Sequence, residues 1–360
     1  MGVAILAGTR KGLFVLHGEE SRRAWKVEEP LLPGWEVMHA VRDPRDGTLY
    51  ACTNHMVYGP NVHRSSDEGR TWEHADEIGL PEESGLKLEK TWHVRPGREG
   101  ETGRLWLGGT PGALLHSDDG GRSWEAVDGI LEHPTRERWM PGAGGMCCHS
   151  IQLDPDDPRR MYVAISAAGS FRTDDGAATW VPANKDVAAD FMPEEAPRDV
   201  GQCVHKLLVH PARPDRLWQQ NHCGVYRSDD RGENWERLDG NGLPSDFGFP
   251  IMIHPRDPDS AWVVPEEGAE NRVTCNGRLG VYRTRDGGAS WELTANGLPE
   301  QAWLAVLREA SASDTLDPAG LYVGTQSGSI FVSQDEGDSW VEAAEQLPPV
   351  LSVEVAEWPS

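Results

Sequence analysis

Six histidines stand where they could share one site. His39, His93, His149 and His205 open the apolar runs MHAVRDP, WHVRPG, HSIQLDP and HKLLVHP, while His55 and His222 sit in the short polar segments TNHMVYGP and QNHCG. Cys147, Cys148, Cys203 and Cys223 lie in the same segments. Strand alternation would put Cys147 on the side of His149, and Cys203 on the side of His205. Neutral imidazole and thiolate are borderline-to-soft donors suited to Zn, Fe, Mn or Cu, so a divalent transition metal of open identity is the expected cofactor. Water on such an ion is acidified toward neutrality and can attack a polarised bond, with Glu266 or Glu267 as base. Arg10 and Lys11 in GTRKG could hold a substrate anion. Tyr58 could touch substrate, and Trp139 with Met140, Phe191 and Met192 could form an apolar rim. The leading expectation is therefore a metal-dependent hydrolase or lyase acting on a small polar substrate. No HExxH pair is present, so the ligands must be brought together by the fold.

The elements that would do so are repetitive. One octet recurs as SSDEGRTW (Ser65 to Trp72), SDDGGRSW (Ser117 to Trp124), TDDGAATW (Thr173 to Trp180), SDDRGENW (Ser228 to Trp235), TRDGGASW (Thr284 to Trp291) and SQDEGDSW (Ser333 to Trp340). The closing Trp residues are 52, 56, 55, 56 and 49 positions apart, and Trp25, 47 before Trp72, ends a degenerate seventh copy. Each octet joins two short β-patterned runs and reads as a hairpin turn. Its Asp can accept backbone N–H bonds, its Gly can take φ > 0, and its Trp can fill space between sheets. Four strands per unit reads as a propeller blade. The N-terminus supplies a second and third strand (VAILAGT, GLFVL) and the C-terminus a first strand (VLSVEVAEW). Residues 1–360 are thus expected to form one all-β domain, a seven-bladed propeller of four-stranded antiparallel blades closed by pairing the terminal strands. The six His would then ring the channel mouth on the face opposite the octets.

Composition bounds the partners. The chain has 34 Lys plus Arg against 58 Asp plus Glu, a net charge of −24. That argues against nucleic acid or an anionic membrane, which require a basic footprint. No run of 18 apolar residues is present, and the N-terminus lacks a basic region ahead of its apolar stretch, so a cytoplasmic location is expected. Six Cys suit free thiols in a reducing compartment. The expected partner is a small molecule or a saccharide, with the oligomeric state left open.

The octet resembles the Asp-box, or BNR repeat, of the sialidase-like propeller superfamily. That group holds sialidases, xyloglucan-active glycosidases, sortilin-type receptors and photosystem II assembly factors. The resemblance implies that the face opposite the octets is the active one. It adds two alternatives to the metal reading: a metal-free BNR-type glycoside hydrolase, or a non-catalytic binding or assembly scaffold. The hydrolase would need paired carboxylates, for which the loops offer Glu89, Asp186, Asp190, Glu194, Glu266 and others. A true sialidase is not expected, because the family's arginine-bearing FRIP-type motif is absent. Xyloglucan-active members generally place a cleft between two propellers, and this chain holds repeats enough for one.

Overall fold

A computed structural model describes residues 2–19, 21–193, 195–238 and 240–358. They form seven four-stranded antiparallel sheets, each ordered from an inner strand A to an outer strand D, and six of them in chain order. Blade 1 takes its A strand, Val350–Trp358, from the C-terminal end and its B and C strands, Gly2–Thr9 and Gly12–Gly18, from the N-terminal end. The closing ladder runs from Gly2↔Trp358 to Thr9↔Val350, as the terminal runs imply. The other inner strands are Glu36–Arg42, Lys90–Pro96, Cys147–Leu153, Val204–Val209, Gly248–Ile253 and Ser311–Ser313, in blades 2 to 7.

The octets form the C–D turns, and their chemistry repeats. Asp67 accepts bonds from the Thr71 amide (2.9 Å) and hydroxyl (2.7 Å), while Ser65 Oγ accepts the Gly69 amide at 2.8 Å. Asp175 and Asp335 make the same set with Thr179 and Ser339. The backbone and side-chain bonds from Thr71 hold the Asp67 carboxyl down to about 2. The turn needs two consecutive left-handed residues. Glu68 and Gly69 have φ 61° and 87°, and Gly176 and Ala177 have 79° and 78°, so the conformation survives even where the second residue is not glycine.

Trp124, Trp180, Trp235, Trp291 and Trp340 are all buried between sheets. The indoles of Trp235 and Trp291 donate to the Ala183 and Leu238 carbonyls of the preceding blade, at 2.9 and 3.1 Å. Burying about 200 Å² of indole contributes at most ~5 kcal/mol each, so these side chains are principal blade-to-blade adhesives.

One departure from simple alternation shapes the mouth. In blades 2 to 6 the A–B ladder slips near its upper end, between Val37 and His39, Thr91 and His93, Cys148 and Ser150, Val204 and Lys206, and Gly248 and Ile251. Bulges bend a strand and re-aim its side chains, so the even spacing of Cys147 and His149 no longer assigns both to one side.

Candidate functional site at the channel mouth

A cavity of about 430 Å³ opens on the face opposite the octet turns. Its wall comes from D–A loops (Met140 to Gly144, Phe191 to Pro193, Gly201), from B–C turns (Ser166, Ala167, His222, Arg272) and from the starts of inner strands (Cys203, His205, Phe249, with Arg308 just ahead of its own). The long loops thus serve as walls, as their length suggests. Met140 and Phe191 form an exposed apolar rim. The polar groups are mostly cationic or neutral: two guanidiniums, two imidazoles, a thiol and a hydroxyl. Arg308 lies over Trp92 and Phe249, 5.5 and 5.8 Å from the ring centroids, and donates to Cys147 Sγ at 3.0 Å. Arg272 lies over Phe249 at 5.5 Å. No carboxylate is among the described residues that line this cavity.

The six histidines do not meet at one point. His205 and His222 share the cavity wall. His39 and His93 pack against each other at a tilt deeper among the inner strands, centroids 4.1 Å apart. His39 Nε2 donates to Glu354 at 3.0 Å, and His93 Nδ1 lies 3.5 Å from Glu309. Lys206 Nζ sits 2.5 Å from the same Glu309 carboxylate, so an ammonium already supplies the cation there. His149 is fully buried between blades 4 and 5, bonded to the Val204 carbonyl (2.9 Å) and Ser150 Oγ (3.0 Å). His55 accepts the Val57 amide at 3.1 Å, stacks on Tyr58 and packs at a tilt against Trp35, capping its own turn. Of the expected ligands, His149 and His55 are therefore structural, and the remaining four fall into two separate pairs.

The other expected residues fare unevenly. Trp139, expected at the rim, does not line the cavity. It is buried against Phe171 and His133, its indole bonds Thr135 Oγ1 at 2.9 Å, and it anchors the loop whose next residue, Met140, reaches the rim. Arg10, Lys11 and Tyr58 are exposed on B–C turns of blades 1 and 2 and do not line the cavity. Glu267 is exposed and also lies off the wall. Glu266 is buried beside the site, where its Oε1 accepts the Val306 amide at 3.2 Å and burial pushes its carboxyl up to about 7. Glu194 lies outside the described residues.

Burial sets the charge states. It lowers His93 to about 4, with His39 adding to the effect. It lowers His205 well below the usual imidazole range, helped by Arg308, and lowers His222, helped by Arg272. Burial alone would raise the Glu309 carboxyl, but Lys206 and His93 hold it well below the ordinary range. The mouth is thus neutral-to-cationic in a chain whose net charge is −24.

Arg272, Arg308, Phe249, Lys206 and Glu309 were not singled out from sequence. A positional signal existed for two of them. The amides of Asp154, His210, His254 and Asp314 close the A–B turns onto the Arg160, Arg216, Ser260 and Gly320 carbonyls. The fifth residue before each is His149, His205, Phe249 and Glu309.

No protein-family model matches the chain. The chain is 28% identical over 204 residues to an oligoxyloglucan-reducing end-specific xyloglucanase of Emericella nidulans, covering 46% of this chain and 23% of that protein. It is 25% identical over 277 residues to the photosystem II assembly lipoprotein Ycf48 of a Synechococcus species, covering 69% of this chain and 72% of that one. Among solved structures, the GH74 enzyme of Niastella koreensis superposes with a TM-score of 0.63 at 15% identity, over 94% of this chain and 51% of that one. The likeness to this structure establishes the propeller fold. The chain spans under a quarter of the length of the xyloglucanase. These relatives, named as xyloglucanases and an assembly lipoprotein, overturn the metal-dependent hydrolase or lyase expected from the His-rich segments. The dispersal of those histidines gives the physical reason.

Proposed function

We propose that this protein is a ligand-binding propeller of the Asp-box type that works without metal-dependent chemistry. Its mouth cavity takes a small polar molecule or saccharide unit carrying an anionic group and an apolar face. One observation carries this reading: Arg272 and Arg308 line a cavity whose described wall holds no carboxylate. A guanidinium already stacked on an aromatic ring is pre-oriented, so less side-chain freedom is lost when it grips a carboxylate. The apolar rim of Met140 and Phe191 suits the body of such a ligand. The likeness to an assembly lipoprotein over two thirds of both chains supports a binding role.

A second reading, a metal-free glycoside hydrolase, is favoured by the xyloglucanase relatives and by Glu266, a carboxylic acid poised near neutrality beside the mouth. The two readings separate by experiment. Calorimetric titration with uronate-bearing and neutral oligosaccharides should show binding of the acidic set, weakened on the order of tenfold or more in Arg308→Gln. Equal binding of the neutral set, or no loss in that variant, overturns the binding reading. Release of reducing sugar from xyloglucan oligosaccharides, abolished by Glu266→Gln, would establish the hydrolase instead. The cytoplasmic location forms part of this proposal. Among the described residues no helix is long and apolar enough to cross a membrane.

A further inference from the structure

The cavity wall also carries a thiol and two imidazoles whose donor atoms face one another. We propose that Cys203, His205 and His222 form a three-ligand site for a thiophilic cation, holding Cu(I) more tightly than Zn(II), as a binding site with no catalytic step.

The three donor atoms lie within 4.8 Å of one another. Ligand edges in a tetrahedral Cys–His site are about 3.3–3.7 Å, from metal–ligand bonds of about 2.3 and 2.0 Å, so the group must contract by about 1 Å. All three ligands come from one blade. Cys203 immediately precedes the inner strand Val204–Val209, and His222 stands on the B–C turn of the same blade, half-buried. The His222 amide donates to the Cys203 carbonyl at 2.9 Å, which ties the two ligand backbones together. His205 sits at the bulge between them and the rest of the strand.

Support behind the ligands matches what ligating side chains require. His205 Nδ1–H donates to the Gly248 carbonyl at 2.6 Å, which fixes the tautomer and leaves Nε2 as the donor atom. Its ring stacks on Phe249 at 4.5 Å and 26°, so its orientation is held. Ser166 Oγ lies 3.3 Å from Cys203 Sγ and can donate to a thiolate. All three side chains line the open cavity.

Charge decides which cation fits. Arg272 and Arg308 line the same cavity, so added positive charge is penalised. Exchanging the thiol proton for Cu(I) leaves the net charge unchanged. Exchanging it for Zn(II) adds one unit. Thiolate is also a soft donor that favours Cu(I). The other His-rich group, His39, His93 and Glu309, offers no such site because Lys206 already occupies it.

The test is an anaerobic titration of reduced, untagged protein with Cu(I) against bathocuproine disulfonate, and with Zn(II) against a chromophoric chelator. One equivalent of Cu(I) is expected, bound more tightly than Zn(II). Affinity should fall on the order of tenfold or more in Cys203→Ser and His222→Gln and stay unchanged in Cys275→Ser, whose thiol lies off the cavity wall. Bound Cu(I) should also slow iodoacetamide alkylation of Cys203, read by peptide mass spectrometry; this arm needs no variant. Absence of a bound equivalent, binding indifferent to Cys203→Ser and His222→Gln, or tighter Zn(II) binding overturns the proposal. Titrating the acidic oligosaccharides into Cys203→Ser keeps this outcome separate from that of the anion-binding reading.

Discussion

Lys206→Met should be among the most damaging single substitutions on the inner strands. Lys206 and Glu309 belong to blades 5 and 7, their side chains are 9% and 3% exposed, and they meet at 2.5 Å. At an effective dielectric of 20, the gross attraction at that separation is on the order of 7 kcal/mol. Desolvation costs several kcal/mol per ion, so the intact pair is close to balanced. Removing only the ammonium leaves the carboxylate buried and without its main cation, at a cost of ~3–5 kcal/mol. With about 2.1 cal/mol/K of unfolding entropy per residue over 360 residues, this corresponds to a melting point lower by ~4–7 °C. The double variant Lys206→Met, Glu309→Gln should recover most of the loss. The single variant also has a signature that mere packing loss lacks. His93, at 3.5 Å from Glu309, is the nearest group able to take a proton and neutralise it. Its imidazole should therefore titrate higher than in the parent, and the deficit should shrink between pH 7 and pH 5.5. Urea midpoints at both pH values, with imidazole shifts followed by NMR, supply the readout. A single variant within about 1 kcal/mol of the parent, or a double variant as unstable as the two singles summed, would refute the reasoning.

Three further outcomes are expected. The Glu266 carboxyl is raised to about 7, so its stabilising contribution is present at low pH and is lost as pH rises through neutrality. Glu266→Gln should accordingly leave the unfolding free energy nearly unchanged at pH 4 and raise it at pH 8, by up to ~2 kcal/mol after allowance for partial solvation, read from urea midpoints. His93 is lowered to about 4, so its contribution is present above the ordinary imidazole value of 6.5 and is lost as pH falls toward 4. That loss is worth about 3 kcal/mol, and His93→Gln should flatten the stability profile in that window, measured by urea midpoints. His149→Ala should cost ~2–4 kcal/mol by denaturant unfolding, because it opens a cavity and orphans the Val204 carbonyl; it should leave Cu(I) uptake unchanged.

The ring was legible because its signals are local and repeated. Each octet carries its own turn chemistry, and the tryptophan spacing counts the blades. Even the closure could be read, since an unpaired first strand at one end and an unpaired second strand at the other have one obvious solution. The mouth was legible only as a face. His205 and His222 do line the cavity at the mouth, whereas of the four residues expected at the rim Met140 and Phe191 are exposed there and Trp139 is buried behind its loop. The bulges defeat side assignment by alternation, and His149 turns into an inter-blade contact as a result. Arg272 and Arg308 carried no motif. Arg308 gains its place from rings supplied by blades 3 and 6, and Arg272 from Phe249 on the inner strand of its own blade, pairings that no spacing along the chain reveals.

The pairing of Gly2–Thr9 with Val350–Trp358 has a consequence for how copies of this chain meet one another. Val350–Trp358 follows every other described strand in the sequence, so blade 1 is the last of the seven to be completed as the chain is made. Until then Gly2–Thr9 exposes a bare row of amides and carbonyls, the kind of edge that accepts any extended segment. A late-arriving Val350–Trp358 from a neighbouring copy would satisfy it equally well. At high expression this strand exchange would string propellers head to tail into open-ended chains, since the contact is heterologous. Dilution during refolding should favour the closed ring.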